Sequence, residues 1–418
     1  MKQDNGNSKD GIINSRKFVI FLLGHITSQI GMAITTFSLS WYILQLTGSP
    51  LQSGIMLALG FLPYIIMSFP AGVWADRMNR KTLMVISSVG RVALLASFPI
   101  AHAIDNVSLI QIYLVQILMS GLSAIFDTCS SAALPSIVEK SLLRKANGTF
   151  NSVSSITKMV GTGLAGFLIA FIGVTNTIIL DIVFCIITLL CLMTIKTSLS
   201  DHNFRKTKIK MWRDIREGIS FLNNQKLIRI LAYMTAGLNF AIQASSAVVL
   251  FRFKEELYLS SEITGVLMVG ISLGVFIGSV IADKVIGKKR IHSLIIFVFV
   301  IQAIGLLIIG NINILWMIFI AEIFIGIANA VWNVEIVSLR QKIIPSEYLG
   351  RVSSVTRSMS WISIPLGAVL GGVIAKNFGS SVVFEVGSLM LLIICVIGFV
   401  YLKGQKEREI QTEVKTTI

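Results

Sequence analysis

Asp127, Glu322 and His25 each sit inside a long apolar run of the chain. An ionisable group there is costly, roughly 2.5–3.5 kcal/mol for an acid or a base on insertion scales, and is a functional candidate by default. The chemistry open to these three is proton carriage. For His25 the competing role is a hydrogen bond to a neighbouring helix. Lys158 and Arg357 lie in two further apolar runs. Facing one cavity, they would attract an anionic or carboxylate-rich ligand. The alternative is that each pairs with an internal acid, for example Asp127 or Glu335. Gln29 and Trp332 are further candidate ligand contacts. Trp41, Tyr42 and Trp361 could add apolar surface, although aromatics at such places are more often core residues or interfacial anchors. Arg91 reads as an interhelical pairing residue, and Asp181 and Glu385 as structural acids.

Other chemistries lack their parts. Cys129, Cys185, Cys191 and Cys395 form no CxxC pair or ligand cluster, so neither a disulfide nor a metal site is expected. There is no phosphate-cradling Gly-rich loop for direct use of ATP. Catalytic triads are absent as well, and the chain is not expected to be an enzyme.

The elements that must position these residues follow from composition. Of 418 residues 54% are hydrophobic and 14% charged, with mean hydropathy +0.80. Soluble domains run near 25% charged, which excludes a water-soluble enzyme of this length. A membrane span needs about 20 mostly apolar residues. Twelve candidates occur, at 17–46, 51–75, 82–104, 108–135, 146–172, 175–196, 227–252, 261–283, 291–310, 313–339, 350–376 and 379–403. The first is too long for a cleaved signal peptide and lacks a small-residue cleavage site.

The net charge of +15 would suggest nucleic-acid binding in a soluble protein. Here 30 of the 36 Lys and Arg residues fall in the termini and alternate connectors, which places both termini in the cytoplasm and removes the nucleic-acid reading. The longest connector, 197–226, reads as a basic cytoplasmic linker held near anionic lipid headgroups. It separates an N-terminal six-helix bundle (1–196) from a C-terminal bundle with a short cytoplasmic tail (227–418). The halves repeat. Gly161, Gly166 and Gly173 return as Gly367, Gly372 and Gly379 at an offset of 206, and Phe126-Asp127 maps onto Trp332-Asn333. Ala75-Asp76-Arg77 returns as Ala282-Asp283-Lys284. Such a parallel repeat suggests two bundles around a central path. Gly270, Gly274 and Gly278 place small residues on one stripe for close helix packing.

The run Gly72-Val73-Trp74-Ala75-Asp76-Arg77-Met78-Asn79-Arg80-Lys81 resembles the loop motif of the major facilitator superfamily, G-x-x-x-D-R-x-x-R-[RK]. Gly72 would allow close helix approach, and Asp76 would pair with a cation or helix N-terminus of the neighbouring bundle. Arg77, Arg80 and Lys81 would reach carboxylates or lipid phosphates, and with Asp283 the cluster would gate the cytoplasmic side. Leu59-Gly60-Phe61-Leu62-Pro63-Tyr64, Phe126-Asp127 through Leu134-Pro135, Ala146-Asn147 and Asp181 resemble the drug:proton antiporter branch, which contains macrolide efflux pumps and enterobactin-type siderophore exporters. Gly161-Thr162-Gly163-Leu164-Ala165-Gly166 is similar to that branch's G-P-x-x-G-G motif, with Thr162 in place of Pro, and Gln116, Ile117 and Leu118 stand where span 4 often carries a base.

The expected fold is an all-α membrane protein of twelve transmembrane helices in two six-helix bundles. The resemblance implies a secondary exporter in a bacterial cytoplasmic membrane, working by alternating access on a proton gradient, with no cofactor. The favoured cargo is a small amphipathic siderophore rich in carboxylates, and the alternative is a macrolide or another drug. A membrane sensor or assembly factor that moves no cargo is the alternative of another class.

Overall fold

A computed structural model describes residues 16–139, 142–195, 211–286 and 291–403, and their regular structure is helical throughout. The first half holds α1 (Arg16–Thr47), α2 (Pro50–Arg77), α3 (Arg80–Ala103), α4 (Leu109–Ile137) and α5 (Leu143–Thr194). A short α6 (Met211–Asn224) precedes α7 (Lys226–Phe251), which passes into one π-helical turn (Arg252–Glu256). There follow α8 (Ser261–Ile286), α9 (Ile291–Asn311), α10 (Leu315–Ile343), α11 (Ser346–Phe378) and α12 (Ser380–Lys403).

Eleven of these helices are long and apolar enough to cross a membrane. The twelfth expected span is inside α5, whose 52 residues are interrupted at Gly173 (φ 78°, ψ 166°). Contacts with α1 show that the chain reverses there. Before Gly173, α5 runs with α1, placing Ser154 beside His25 and Gly161 beside Ile30 and Ala33. After it, α5 runs against α1, placing Asp181 beside Gly31 and Thr35, Thr188 beside Thr27 and Cys191 beside Gly24. The expected spans 146–172 and 175–196 are therefore its two arms.

The second half repeats the device. Gly379 ends α11 at φ 92° and ψ 158°, 206 positions after Gly173. Helix α11 runs with α7, with Gly367 on the Phe240 backbone and Gly371 on that of Ala244. Helix α12 returns against α7, setting Gly387 by Ala241, Gly237 by Ile394 and Gly398 by Met234. Phe126 and Trp332, the aromatic members of the repeated pair, are each 1% exposed. The stripe Gly270, Gly274 and Gly278 packs onto the backbone of α10 at Phe319, Ile323 and Ile327, as its spacing predicts.

Contacts divide the chain into two compact units, residues 1–39 with 62–206 and residues 40–61 with 207–418. The boundary thus differs from an even split at the linker, because residues 40–61, the ends of α1 and α2 around their connecting turn, join the second unit. There Gly54 packs on the Ala368 carbonyl, Gly372 on Pro50 and Leu51, and the Lys254 ammonium lies 5.5 Å from the centre of the Trp41 ring. The expected linker also differs. Of its described part, 211–226, residues 211–224 form the amphipathic helix α6. Gly218 of α6 packs on the Arg351 backbone and Val355 of α11, and Phe221 stacks on Tyr348 at 5.1 Å.

At Gly173 and Gly379 the backbone occupies a region open essentially to glycine, so Gly173→Ala and Gly379→Ala should each cost about 1–3 kcal/mol. The expected readout is a melting midpoint lowered by several degrees in detergent-solubilised protein. Gly72→Ala and Gly148→Ala, at helical positions with open space around an added Cβ, should not lower it. Equal midpoints for all four variants would contradict the account of the reversals.

Candidate functional site

In the first unit three polar clusters tie the helices together. Asp127, on α4, is partly buried; its Oδ1 accepts from Gln29 Nε2 of α1 at 2.8 Å and its Oδ2 from Tyr64 Oη of α2 at 3.1 Å. One carboxylate is therefore gripped from two neighbouring helices. His25, 3% exposed, places Nε2 at 2.8 Å from Ser154 Oγ and Nδ1 at 3.3 Å from Ser130 Oγ, with its ring 4.0 Å from that of Phe150. This is the interhelical hydrogen-bonding role, joining α1, α4 and α5.

The third cluster is fully buried. Arg91 of α3 lies 3.7 Å from Asp181 of α5 and donates to Ser28 Oγ at 2.7 Å and to the Ser28 carbonyl at 3.3 Å. Asp181 also accepts from Thr35 Oγ1 at 2.5 Å. A Cβ at Gly31 would overlap the Asp181 carboxylate, so this glycine makes room for the ion pair. Arg91 and Asp181 thus take the structural roles their positions suggest.

The loop motif caps helix ends. Arg80 donates to the Ala75 carbonyl of α2 at 3.0 Å and to the Ala132 carbonyl of α4 at 2.8 Å, and Lys81 to the Ile195 carbonyl at the end of α5 at 2.7 Å. Cations there oppose the negative ends of the helix dipoles of α2 and α5. Asp76 is 74% exposed in its side chain, 3.9 Å from Arg80 of its own loop, and Arg77 is exposed. Gly72 was expected to permit close helix approach; among the described residues nothing outside its own helix backbone lies within 4 Å of where its Cβ would be.

The second unit holds a different kind of site. Glu322 of α10 is 6% exposed and forms no hydrogen bond or ion pair with any described residue. It borders a cavity of about 20 Å³ lined also by Ser245, Ser246, Ile325 and Phe384. Trp332 is not a surface for ligand. It is 1% exposed, donates Nε1 to Thr235 Oγ1 at 3.1 Å and meets Phe299 edge-on at 5.3 Å, so the helix core of α7, α9 and α10 claims its ring. Arg357 of α11 is exposed, with its guanidinium 5.8 Å from the Trp361 ring.

Comparison with known proteins now adds the family. The model of the Major Facilitator Superfamily matches residues 21–368. The chain belongs to that superfamily. It is 22% identical to multidrug efflux pump Tap of Mycolicibacterium fortuitum, over 94% of this chain and 98% of that protein. It is 23% identical to macrolide efflux protein A of Streptococcus pyogenes, over 91% and 95%. Among solved structures, the nucleoside transporter NupG matches 92% of this chain and 99% of its own with a TM-score of 0.78 at 10% identity, a likeness of fold. This facilitator is a multi-pass membrane transporter, and the superfamily resemblance read from Gly72–Lys81 is correct.

Several expected partners are distributed rather than gathered. Gln29 and Asp127 meet within hydrogen-bonding distance, whereas His25 bonds elsewhere. The side chains of Lys158 and Asp283 lie outside the described residues. Tyr64 was missed as a site residue. Tyr64 belongs to the run Leu59–Tyr64, already noted as a motif, but an aromatic in an apolar helix gives no sign that its hydroxyl seeks a carboxylate. Arg340 counted as a loop cation, yet it lies on α10.

Breaking a buried ion pair strands the remaining charge, at about 3–5 kcal/mol. Arg91→Met should therefore sharply reduce the monodisperse fraction recovered in size-exclusion chromatography, and Arg91→Met with Asp181→Asn should recover most of it. Equal losses in the single and double variants would show that the pair itself is not what matters.

Proposed function

We propose that this facilitator is a proton-coupled exporter of small amphipathic organic molecules, working by alternating access in a bacterial cytoplasmic membrane with both termini inside. The observation that carries the coupling is the grip on Asp127 by Gln29 and Tyr64. Taking up a proton removes charge from an oxygen that one of them donates to, so the loading of Asp127 is felt by α1 and α2. Glu322 is the corresponding carrier in the second unit, where no described side chain competes for its proton. Asp76, Arg77, Arg80, Lys81 and Asp283 gate the cytoplasmic side. Export as the direction is supported by the two efflux relatives.

The cargo read here is a carboxylate-rich compound of the siderophore kind. Arg357 supports it: the side chain is exposed and forms no ion pair with a described carboxylate. Lys158 is assigned to the same cargo on sequence position alone. A second reading, efflux of macrolides or other drugs, is favoured by the names of the relatives and would use the same machinery.

A strain lacking the gene should accumulate less siderophore in its medium, and an unchanged level would overturn the cargo reading. Overexpression without any change in macrolide susceptibility would count against the second. Asp127→Asn keeps the size of the side chain but cannot exchange a proton in this range. It should abolish export driven by a proton gradient while leaving the protein folded, as judged by an unchanged melting midpoint. Full export by this variant would remove Asp127 from the coupling.

A further inference from the structure

In the second unit a polar clasp joins helix ends on the side opposite the cytoplasm in the orientation proposed above. Arg252, at the end of α7, is 5% exposed. It donates Nε to the Ile309 carbonyl at 2.6 Å, Nη1 to Glu256 Oε2 at 3.1 Å and Nη2 to Asn313 Oδ1 at 3.1 Å. Ser380, which begins α12, donates to the same Glu256 oxygen at 2.5 Å, and Ser381 donates to the Gly310 carbonyl at 3.0 Å. One arginine and one glutamate thus hold the end of α7, the end of α9, the turn into α10 and the start of α12.

This clasp closes over the cavity beside Glu322. Ile309, whose carbonyl Arg252 holds, also lines that cavity. So do Val249, three residues before Arg252, and Phe384, four residues after Ser380. Those spacings are about one helical turn, so the wall is made of residues that the clasp holds or that stand one turn beneath it. Glu322 lies seven residues from the start of α10 and twenty-one from its end, about 10 Å and about 30 Å along the helix. Ile242, Ile271, Leu306 and Ile325 make the rest of the lining mostly apolar. The Glu256 side chain, by contrast, is 32% exposed, so the clasp meets water on its far side. It therefore stands between solvent and the Glu322 carboxylate. The backbone beside it departs from ordinary helix: Arg252–Glu256 is a π-helical turn, and Tyr258 follows at φ 53°. Such turns and strained residues gather at places where a helix rearranges.

We propose that Arg252, Glu256 and Ser380 form the outer gate of the Glu322 cavity. Shut, the clasp seals the carboxylate from external water; open, it lets a proton exchange with that side. The gate deepens the coupling reading above and rests on it for what passes, not for the opening itself.

The test uses the full-length protein in right-side-out membrane vesicles, with Ser245→Cys as reporter because Ser245 lines the cavity and is 2% exposed. A membrane-impermeant methanethiosulfonate is added outside, and the labelled cysteine is located by peptide mass spectrometry. With the clasp intact, labelling at position 245 should be slow. Glu256→Ala should speed it about tenfold or more, the weight of one charge-assisted hydrogen bond on a closed–open equilibrium, and Arg252→Gln should do the same. Because Glu256 is partly exposed, Glu256→Ala is expected to fold, so a misfolded Arg252→Gln leaves the test standing. Cys395, buried toward the other end of α12, is the control and should stay unlabelled throughout. Equal labelling at position 245 with and without Glu256→Ala would overturn the gate. So would an equal acceleration at Cys395, the mark of general loosening. Faster labelling at position 245, together with cargo-driven proton flux unchanged by Glu322→Gln, would remove Glu322 from the coupling and leave the gate standing.

Discussion

Hydrocarbon offers no hydrogen-bond partner, so every polar group carried into a membrane must be answered from within the protein. Most of this structure can be read as answers to that demand. Arg91 and Asp181 neutralise each other, with Ser28 and Thr35 supplying further hydrogen bonds and Gly31 leaving the space. Arg252 is met by the Ile309 carbonyl, Glu256 and Asn313, and Glu256 in turn by Ser380. His25 is held by two serines. Where the demand is left open, function is the natural place to look. Glu322 is one such place.

The same constraint explains why glycine governs the packing. Helices in lipid gain little from hiding apolar side chains and must instead approach closely. Gly274 and Gly326 bring the backbones of α8 and α10 together, and Gly367 and Gly371 do so for α7 and α11. The reversals at Gly173 and Gly379 use a backbone shape that a side chain would forbid, and they stand 206 positions apart. Each follows a helix running with the first helix of its half and precedes one running against it. The repeat is thus one of chain path as well as of residues.

Much of this was legible in the sequence for physical reasons. Spans are announced by length and apolarity, and the repeat by glycines whose spacing cannot drift without loss of a contact. The motif Gly72–Lys81 pointed to the superfamily. What could not be read was which polar groups meet. Tyr64 and Gln29 converge on Asp127 from distant parts of the chain, and nothing local marks a tyrosine as a hydrogen-bond donor to a span 4 acid. Trp332 read as a possible ligand surface, because a tryptophan beside a polar residue looks the same whether its ring faces a cavity or the core. The capping work of Arg80 and Lys81 was likewise invisible, since a carbonyl acceptor belongs to no residue type.

The proton coupling proposed above rests on two unequal halves. The first unit holds a carboxylate gripped by neighbouring helices, while the second holds one that no described side chain engages. The central claim is that intramembrane carboxylates exchange protons as cargo moves. It is tested most directly in proteoliposomes containing a pH-sensitive dye, by adding cargo and recording proton movement. The account predicts cargo-dependent proton flux for the wild type and none for Asp127→Asn with Glu322→Gln. Cargo movement with no proton flux, or flux unchanged in that double variant, would contradict it.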